Sequence, residues 1–417
     1  MSNHSLEYIL SGCSYMRLTF EETSTDTELN SWINDVFKGM STDIHDFSLL
    51  YNGWTEAGFG KHFVESFRQS ISNIAADSGG LQLCTQGKVI TPDIKDEVYR
   101  TQANYSTLAM SFDEIPVTFT GDRSSRTDYT NRYFDITKFE DSAILTGKNV
   151  ARQIEVFLEE KSKSKPIFIA QGNCLDTYME WCELDLKQIP KAHHKYIGGV
   201  AMGAAALGYG ALEDIQKAFY FKQLPLEHEY MHLLGVGSAQ RMLPTLVFLQ
   251  NGFYDGTHIS YDSTTHSSGV CMGRYTMPGG EVKKFPKHFD RQVYTEIYED
   301  IKSKFPLDFS VEIFYDAMTL ASLKFQEKYG DRINFFKTVI GFVCKSVYNF
   351  QLQIEDCLSD KSKLLKLAQR YKSHLIFKTL YDVKTVEDFK KWESELSRFI
   401  KTKSIASEKR STLEDFF

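Results

Sequence analysis

The chain contains no run of about 18 uncharged apolar residues, which excludes a conventional membrane-spanning helix. It does not open on a basic segment followed by an apolar one, so no secretory leader is expected. Cysteine is sparse and unpatterned. Seven residues, an odd number without regular spacing, suit a reducing compartment better than a disulfide framework, and the cytoplasm is the expected location. Internal repeats and low-complexity stretches are missing as well. There is no excess of positive charge: a net charge of -7 argues against a uniformly basic nucleic-acid binder. That charge is unevenly placed, because residues 301–417 carry about 21 Lys and Arg against about 16 Asp and Glu. A basic C-terminal third can meet phosphates, and a solvated helical face gives the same count.

What is present is ample material for a core. At 417 residues, 42% of them hydrophobic, the chain suits one large domain with an appendage, or two domains. From about residue 60 to 300, short apolar runs alternate with amphipathic stretches. The runs at 167–170, 196–199 and 232–236 read as buried strands, and 147–161 and 211–221 read as helices. Alternation without hairpin signals indicates parallel α/β architecture, in a closed barrel or an open sheet. Residues 121–127 read as an exposed loop. Beyond about Phe305 the pattern is helical, over 311–329, 332–352, 361–377 and 386–400, before a polar, flexible end. The expected division is 1–300, 301–400 and a tail at 401–417.

Six short motifs punctuate the strands: Asp77-Ser78-Gly79-Gly80, Ser111-Phe112-Asp113-Glu114, Ala170-Gln171-Gly172, Gly198-Gly199-Val200-Ala201-Met202-Gly203, Leu233-Leu234-Gly235-Val236-Gly237 and Tyr261-Asp262. Acid and amide side chains thus recur where strands end and loops begin, the location of active sites in parallel β/α barrels. A single Asp-Ser would ordinarily be a helix cap or an Asx-turn. Six motifs in one order say more.

As an ordered set over roughly residues 70–275, they resemble the guanine transglycosylases, enzymes that exchange a guanine in a polynucleotide for a 7-deazaguanine. The resemblance implies an α/β fold, a TIM (β/α)8 barrel with a helical C-terminal region. It implies that Asp262 attacks the anomeric carbon and forms a covalent glycosyl ester, with Asp77 as general acid/base. Such a division of labour between two groups is that of retaining glycosidases. A guanine edge offers N–H groups to a carboxylate and a carbonyl to an amide or backbone N–H. Carried over from the family, those partners are Asp113, Gln171 and Gly199, with Ser78 as a further contact. Leu234 stands where a Met packs on the base, and Leu81 where an aromatic does.

Three departures refine the comparison. The family's structural zinc uses a Cys-x-Cys-x-x-Cys cluster and a His, whereas only Cys271, Cys344 and Cys357 follow the nucleophile here, so no metal or other cofactor is expected. The basic segment after the nucleophile is reduced to Ser263-Thr264-Thr265-His266-Ser267-Ser268-Gly269. Ala204 replaces a Glu that accommodates a cationic substituent, which favours a neutral base such as 7-cyano-7-deazaguanine. This combination is similar to the phage and bacterial DNA-guanine transglycosylases.

Two further motifs need weighing. His228-Glu229-Tyr230-Met231-His232 fits the H-E-x-x-H zinc-protease pattern, but Pro225 and Gly235 leave about ten residues, and the apolar run that follows reads as a strand, so the helix that this chemistry needs is not expected. The end of the chain, Arg410-Ser411-Thr412-Leu413-Glu414-Asp415-Phe416-Phe417, resembles a sliding-clamp peptide. Leu413, Phe416 and Phe417 would share one face of a helical turn and fill an apolar pocket. The sequence therefore points to an enzyme that replaces guanine in DNA with a 7-deazaguanine, with a sliding clamp as a further partner and no membrane. A zinc-free tRNA-guanine transglycosylase and a non-catalytic nucleic-acid-binding subunit are the alternatives.

Overall fold

The structure is a computed structural model that describes residues 5–16, 26–43, 47–80, 89–119, 132–172, 174–203, 211–225, 230–284, 290–322, 332–371 and 374–406. Eight short parallel strands close into a barrel: β1 (Ser5–Leu10), β2 (Phe47–Asn52), β3 (Ile74–Asp77), β4 (Leu108–Met110), β7 (Lys165–Ala170), β8 (Gly199–Met202), β9 (Tyr230–Leu233) and β10 (His258–Ser263). They follow chain order round the barrel, and β10 pairs with β1 to complete it. Parallel neighbours need crossover connections. These are α1 (Thr27–Asp43), α2 (Ala57–Phe67), α3 (Pro92–Tyr105), α4 (Ile136–Glu159), α5 (Leu175–Leu186), α6 (Ala211–Tyr220) and α7 (Ala239–Gln250). The chain is thus a TIM barrel with a helical C-terminal region, as expected.

Local chemistry starts the helices where they must start. Asp135 accepts the Thr137 N–H at 3.1 Å and Ser238 accepts the Arg241 N–H at 3.4 Å, caps of a kind worth about 1 kcal/mol each. Thr91 caps α3 directly before Pro92, which has no N–H to lose at that position.

Successive side chains on a strand alternate between the two faces. One face of these strands fills the barrel with Ile9, Leu50, Ala75, Leu108, Met110, Ile167, Ile169 and Ala201. The other packs on the helices through a larger core that includes Tyr8, Phe47, Phe168, Val200, Met231 and Tyr261.

The segment after β10 is long. It contains α8 (Gly269–Met272), the antiparallel pair β11 (Arg274–Thr276) and β12 (Val282–Lys284), α9 (Arg291–Lys302) and α10 (Val311–Ser322). Then α11 (Arg332–Ser359) packs against both α1 and α7. It fills the place of an eighth barrel helix, and Gln351 on it bonds Tyr261 of β10 and the Leu6 carbonyl of β1. The helical region is therefore continuous with the barrel core. α12 (Lys361–Arg370), α13 (His374–Leu380) and α14 (Val386–Ala406) complete the layer, with Phe389 of α14 stacked 4.1 Å from Phe219 of α6. A short ladder of β5 (Val117–Phe119) and β6 (Arg132–Phe134) flanks the expected loop at 121–127, which lies outside the described residues. No described helix is long and apolar enough to cross a membrane.

Candidate active site

Strand ends deliver the candidate side chains to the C-terminal mouth of the barrel. β3 ends in Asp77, whose Oδ1 accepts the Ser78 N–H at 2.8 Å. The chain must then turn at once. Gly79 has φ +76°, and a Cβ there would stand 2.5 Å from Asn52 Oδ1, so the turn needs glycine. Ser78 is buried, and its hydroxyl accepts the Gly80 N–H at 3.2 Å. In this structure it holds the turn that carries Asp77.

After β4, the Phe112-Asp113-Glu114 loop is pinned from two helices. Glu114 N–H donates to Thr146 Oγ1 at 2.9 Å, Asn149 Nδ2 to the Phe112 carbonyl at 3.0 Å, and Lys95 Nζ to Asn149 Oδ1 at 2.9 Å. Beyond β7, Gln171 Nε2 donates to Asp113 Oδ2 at 2.7 Å. Gln171 is buried, and its Oε1 has no partner among the described residues. A buried acceptor left open costs about 1–3 kcal/mol, and a ligand N–H would remove that cost.

Asp262 projects from the inward face of β10. Its Oδ1 accepts the Gly235 N–H at 2.9 Å and lies 3.3 Å from His232 Nε2. Gly235 turns at φ +69°, and its carbonyl is held by Arg241 Nη1 at 2.7 Å. Leu234, half-buried, packs against the barrel interior beside this turn.

The environment separates the carboxylates. Burial alone would raise Asp262, but His232, the Gly235 N–H and Ser11 outweigh it and hold Asp262 below the ordinary carboxylate range. Asp77 is pushed up to about 6 by burial and by the charge of Asp262, against the opposing Ser78 and Gly79 N–H groups. Asp113 is pushed up to about 7 by burial, against its bond from Gln171, and by the charge of Asp77. Near neutral pH the site therefore offers an ionised carboxylate beside one that exchanges a proton readily.

No family model and no curated protein matches the chain.

Five of the expected site residues, Asp77, Ser78, Asp113, Gln171 and Asp262, stand at this mouth, with Leu234 at its rim. Gly199 does not join them. The strand expected at 196–199 begins three residues later, so Gly199 opens β8 instead of ending it. A Cβ there would meet the Tyr230 carbonyl at 2.6 Å, deep in the barrel. The glycine at the mouth is Gly203, about 13 Å further along at the usual rise per residue. A Cβ on it would stand 2.2 Å from the Gln171 side chain. The hydrophobic pattern explains the slip: Val200, Ala201 and Met202 are buried, whereas Tyr196 is exposed in a 3-10 turn (Lys191–Tyr196).

Leu81, Ala204, His228 and the tail positions Leu413, Phe416 and Phe417 lie outside the described residues. Tyr230 to His232 are β-strand, so the helical turn that H-E-x-x-H needs does not form there. No group of three or more His, Cys, Asp and Glu side chains among the described residues is arranged to hold a metal. The sequence pattern drew no attention to Ser11, Asn52 or Ser260, and to His232 only as part of the H-E-x-x-H pattern. A signal for Ser260 and His232 was available: His258-x-Ser260-x-Asp262 and Tyr230-x-His232 place polar residues at every second position of an apolar strand, on one face.

Proposed function

We propose that the protein is a guanine transglycosylase that exchanges guanine in DNA for a 7-deazaguanine, with 7-cyano-7-deazaguanine as the favoured incoming base. The observation that carries this reading is the pairing of an ionised Asp262 with a proton-exchanging Asp77, beside the hydrogen-bonded Asp113–Gln171 pair, at the mouth of the barrel. Glycosyl transfer with retention needs one group to attack and another to move a proton. Base exchange further needs the departing and incoming purines to occupy one place. Asp113 and the open Gln171 Oε1 offer acceptors for the N–H edge that both share.

In this scheme the target nucleotide leaves the base stack to reach Asp262. Asp262 forms a bond to C1′ as the C1′–N9 bond breaks, and the electron pair passes to the purine, which Asp77 protonates. The incoming base yields its proton to Asp77, attacks C1′, and returns the ester electron pair to Asp262. The first anomer is restored. Several carboxylates gathered where a phosphate backbone must pass would weaken a pure binder, and chemistry accounts for them. The choice of DNA follows the similarity to the DNA enzymes and the clamp-like tail at 410–417.

The test is incorporation of radiolabelled guanine by the purified protein, with DNA and tRNA offered in parallel and Asp262→Asn as control. Label entering DNA, and lost in the variant, is the expected result. Label entering tRNA overturns the choice of polynucleotide and retains the chemistry. No label in either overturns the reading.

A further inference from the structure

The barrel interior contains a polar column beneath Asp262 that the exchange chemistry above does not use. His232 and Ser260 are both fully buried on adjacent strands. His232 Nδ1 lies 2.8 Å from Ser260 Oγ, and Ser260 Oγ lies 2.5 Å from the Tyr230 hydroxyl. The Tyr230 ring stacks on His258 with centroids 5.2 Å apart and planes 13° from parallel. His258 Nε2 in turn lies 2.8 Å from Glu7 Oε2, and Asn73 Nδ2 donates to Glu7 Oε1 at 2.9 Å. Elsewhere the barrel is filled by aliphatic side chains. Polar groups in such a place cost stability unless they are bonded, and each unmade bond costs about 1–3 kcal/mol.

One orientation of protons satisfies the upper half. Tyr230 O–H donates to Ser260, Ser260 O–H donates to His232 Nδ1, and the ring proton is left on Nε2, which lies 3.3 Å from Asp262 Oδ1. Every donor then runs toward the carboxylate. With the proton on Nδ1 instead, two lone-pair acceptors would face each other across that gap, which is repulsive. His232 Nε2 makes no hydrogen bond of good geometry among the described residues, and Asp262 Oδ1 at 3.3 Å is an acceptor within its reach.

We propose that His232, fixed by Ser260 and Tyr230, is a positioning residue that holds the Asp262 carboxylate in place and stabilises its negative charge through Nε2–H. The inference rests on the transglycosylase reading for its catalytic consequence. In the first half-reaction this bond orients the attacking carboxylate. In the second it receives the carboxylate as the C1′–O ester bond breaks and the electron pair returns to oxygen. His232 keeps its proton throughout, and Asp77 moves the proton that the purines exchange. The ionisable neighbours of the pair are Asp77 from β3, Tyr8 and Glu7 from β1, Tyr230 from β9 and His258 from β10, with Asp113 next to Asp77.

The experiment compares wild type with His232→Leu, His232→Gln and Ser260→Ala. One readout is the carboxyl titration of Asp262 by NMR of 13C-labelled aspartate, which needs no substrate. The other is the pH profile of guanine exchange. In His232→Leu the Asp262 midpoint is expected to rise by about one pH unit or more, and the acid limb of kcat/KM to follow it upward. Exchange should fall roughly tenfold to a hundredfold, with KM for the base little changed. His232→Gln, whose amide can donate to Asp262, should recover most of both, and Ser260→Ala should fall between. An Asp262 titration that is the same in all four proteins overturns the proposal, as does a Gln variant no better than Leu. A wild type that exchanges no base, with the Leu variant still shifting Asp262, overturns the transglycosylase reading and supports the coupling of His232 to Asp262.

Discussion

Replacing Asp77 by Asn should make the folded protein more stable at pH 8 while it removes exchange activity. Burial and the neighbouring Asp262 raise the Asp77 carboxyl from an ordinary value of 3.8 to about 6. The unfolded chain ionises this group around its ordinary value of 3.8, whereas the folded protein resists ionisation until about 6. Ionised Asp77 therefore works against folding. The cost develops between these two values and is complete above the higher one, at about 3 kcal/mol if the whole shift is realised. An Asn side chain keeps an acceptor for the Ser78 N–H but must also place an amide N–H, so about half that gain, roughly 1.5 kcal/mol, is the fair expectation at pH 8. For a chain of this length that is a rise of about 2 °C in Tm. Urea unfolding followed by tryptophan fluorescence at pH 3, 6 and 8 measures it directly. At pH 3, where Asp77 is largely protonated in both states, the variant should be the less stable by the amide's own cost, about 1.5 kcal/mol, and the difference should reverse sign progressively up to pH 8. Exchange should fall by about 10²–10⁴-fold, the usual contribution of a positioned proton donor. A stability difference that is flat across pH, or a variant less stable than wild type at pH 8, would refute the assignment of a buried, destabilising carboxylate to position 77.

Asp262→Asn should lower base exchange by about a thousandfold or more and leave no glycosyl ester detectable by mass spectrometry of acid-quenched enzyme. Asp113→Asn should raise KM for guanine about tenfold to a hundredfold with a smaller effect on kcat. Because Asp113 ionises at about 7, wild-type KM for guanine should rise as pH falls below that value, and the variant should lose that dependence. Gly203→Ala should displace the Gln171 amide, since the new Cβ would stand 2.2 Å from it. Base affinity should fall with little loss of Tm, whereas Gly199→Ala, pressed against the Tyr230 carbonyl at 2.6 Å, should lower Tm with any affinity loss secondary.

The parts of the fold legible in the sequence are those with strong local periodicity. α11, expected over 332–352, is found at Arg332–Ser359, and α6, expected over 211–221, at Ala211–Tyr220. The first two barrel strands escaped notice because their local pattern is mixed. β1 places Glu7, fully buried, in the middle of Leu6-Glu7-Tyr8-Ile9, and a charged residue inside an apolar run argues locally against a buried strand. Its acceptability depends on Asn73, Ser48 and His258, which the chain supplies 41 to 251 positions away. Barrel closure is likewise a long-range fact, made by β1 pairing with β10. Asp77, Asp113, Gln171 and Asp262 were legible because their motifs fall at strand ends. Gly199 was misplaced because Gly-Gly-Val-Ala-Met-Gly offers a glycine at each end of one strand, and only the burial pattern decides which end faces the mouth.

Two acids at one barrel mouth would ordinarily raise each other's pKa, since like charges nearby disfavour ionisation of both. Here the outcome is asymmetric. Asp262 has one oxygen that accepts a backbone N–H and lies 3.3 Å from an imidazole nitrogen. Asp77 has the N–H groups of its own turn, too few to offset its burial. The asymmetry thus originates in β9 and the turn after it, which provide both His232 and Gly235, and neither residue is itself a nucleophile or an acid. A substitution in β9 that leaves both carboxylates in place, such as His232→Leu, should therefore bring their proton affinities closer together before it alters their positions. Carboxyl titrations of Asp262 and Asp77 that stayed as far apart in that variant as in wild type would place the origin of the asymmetry outside β9.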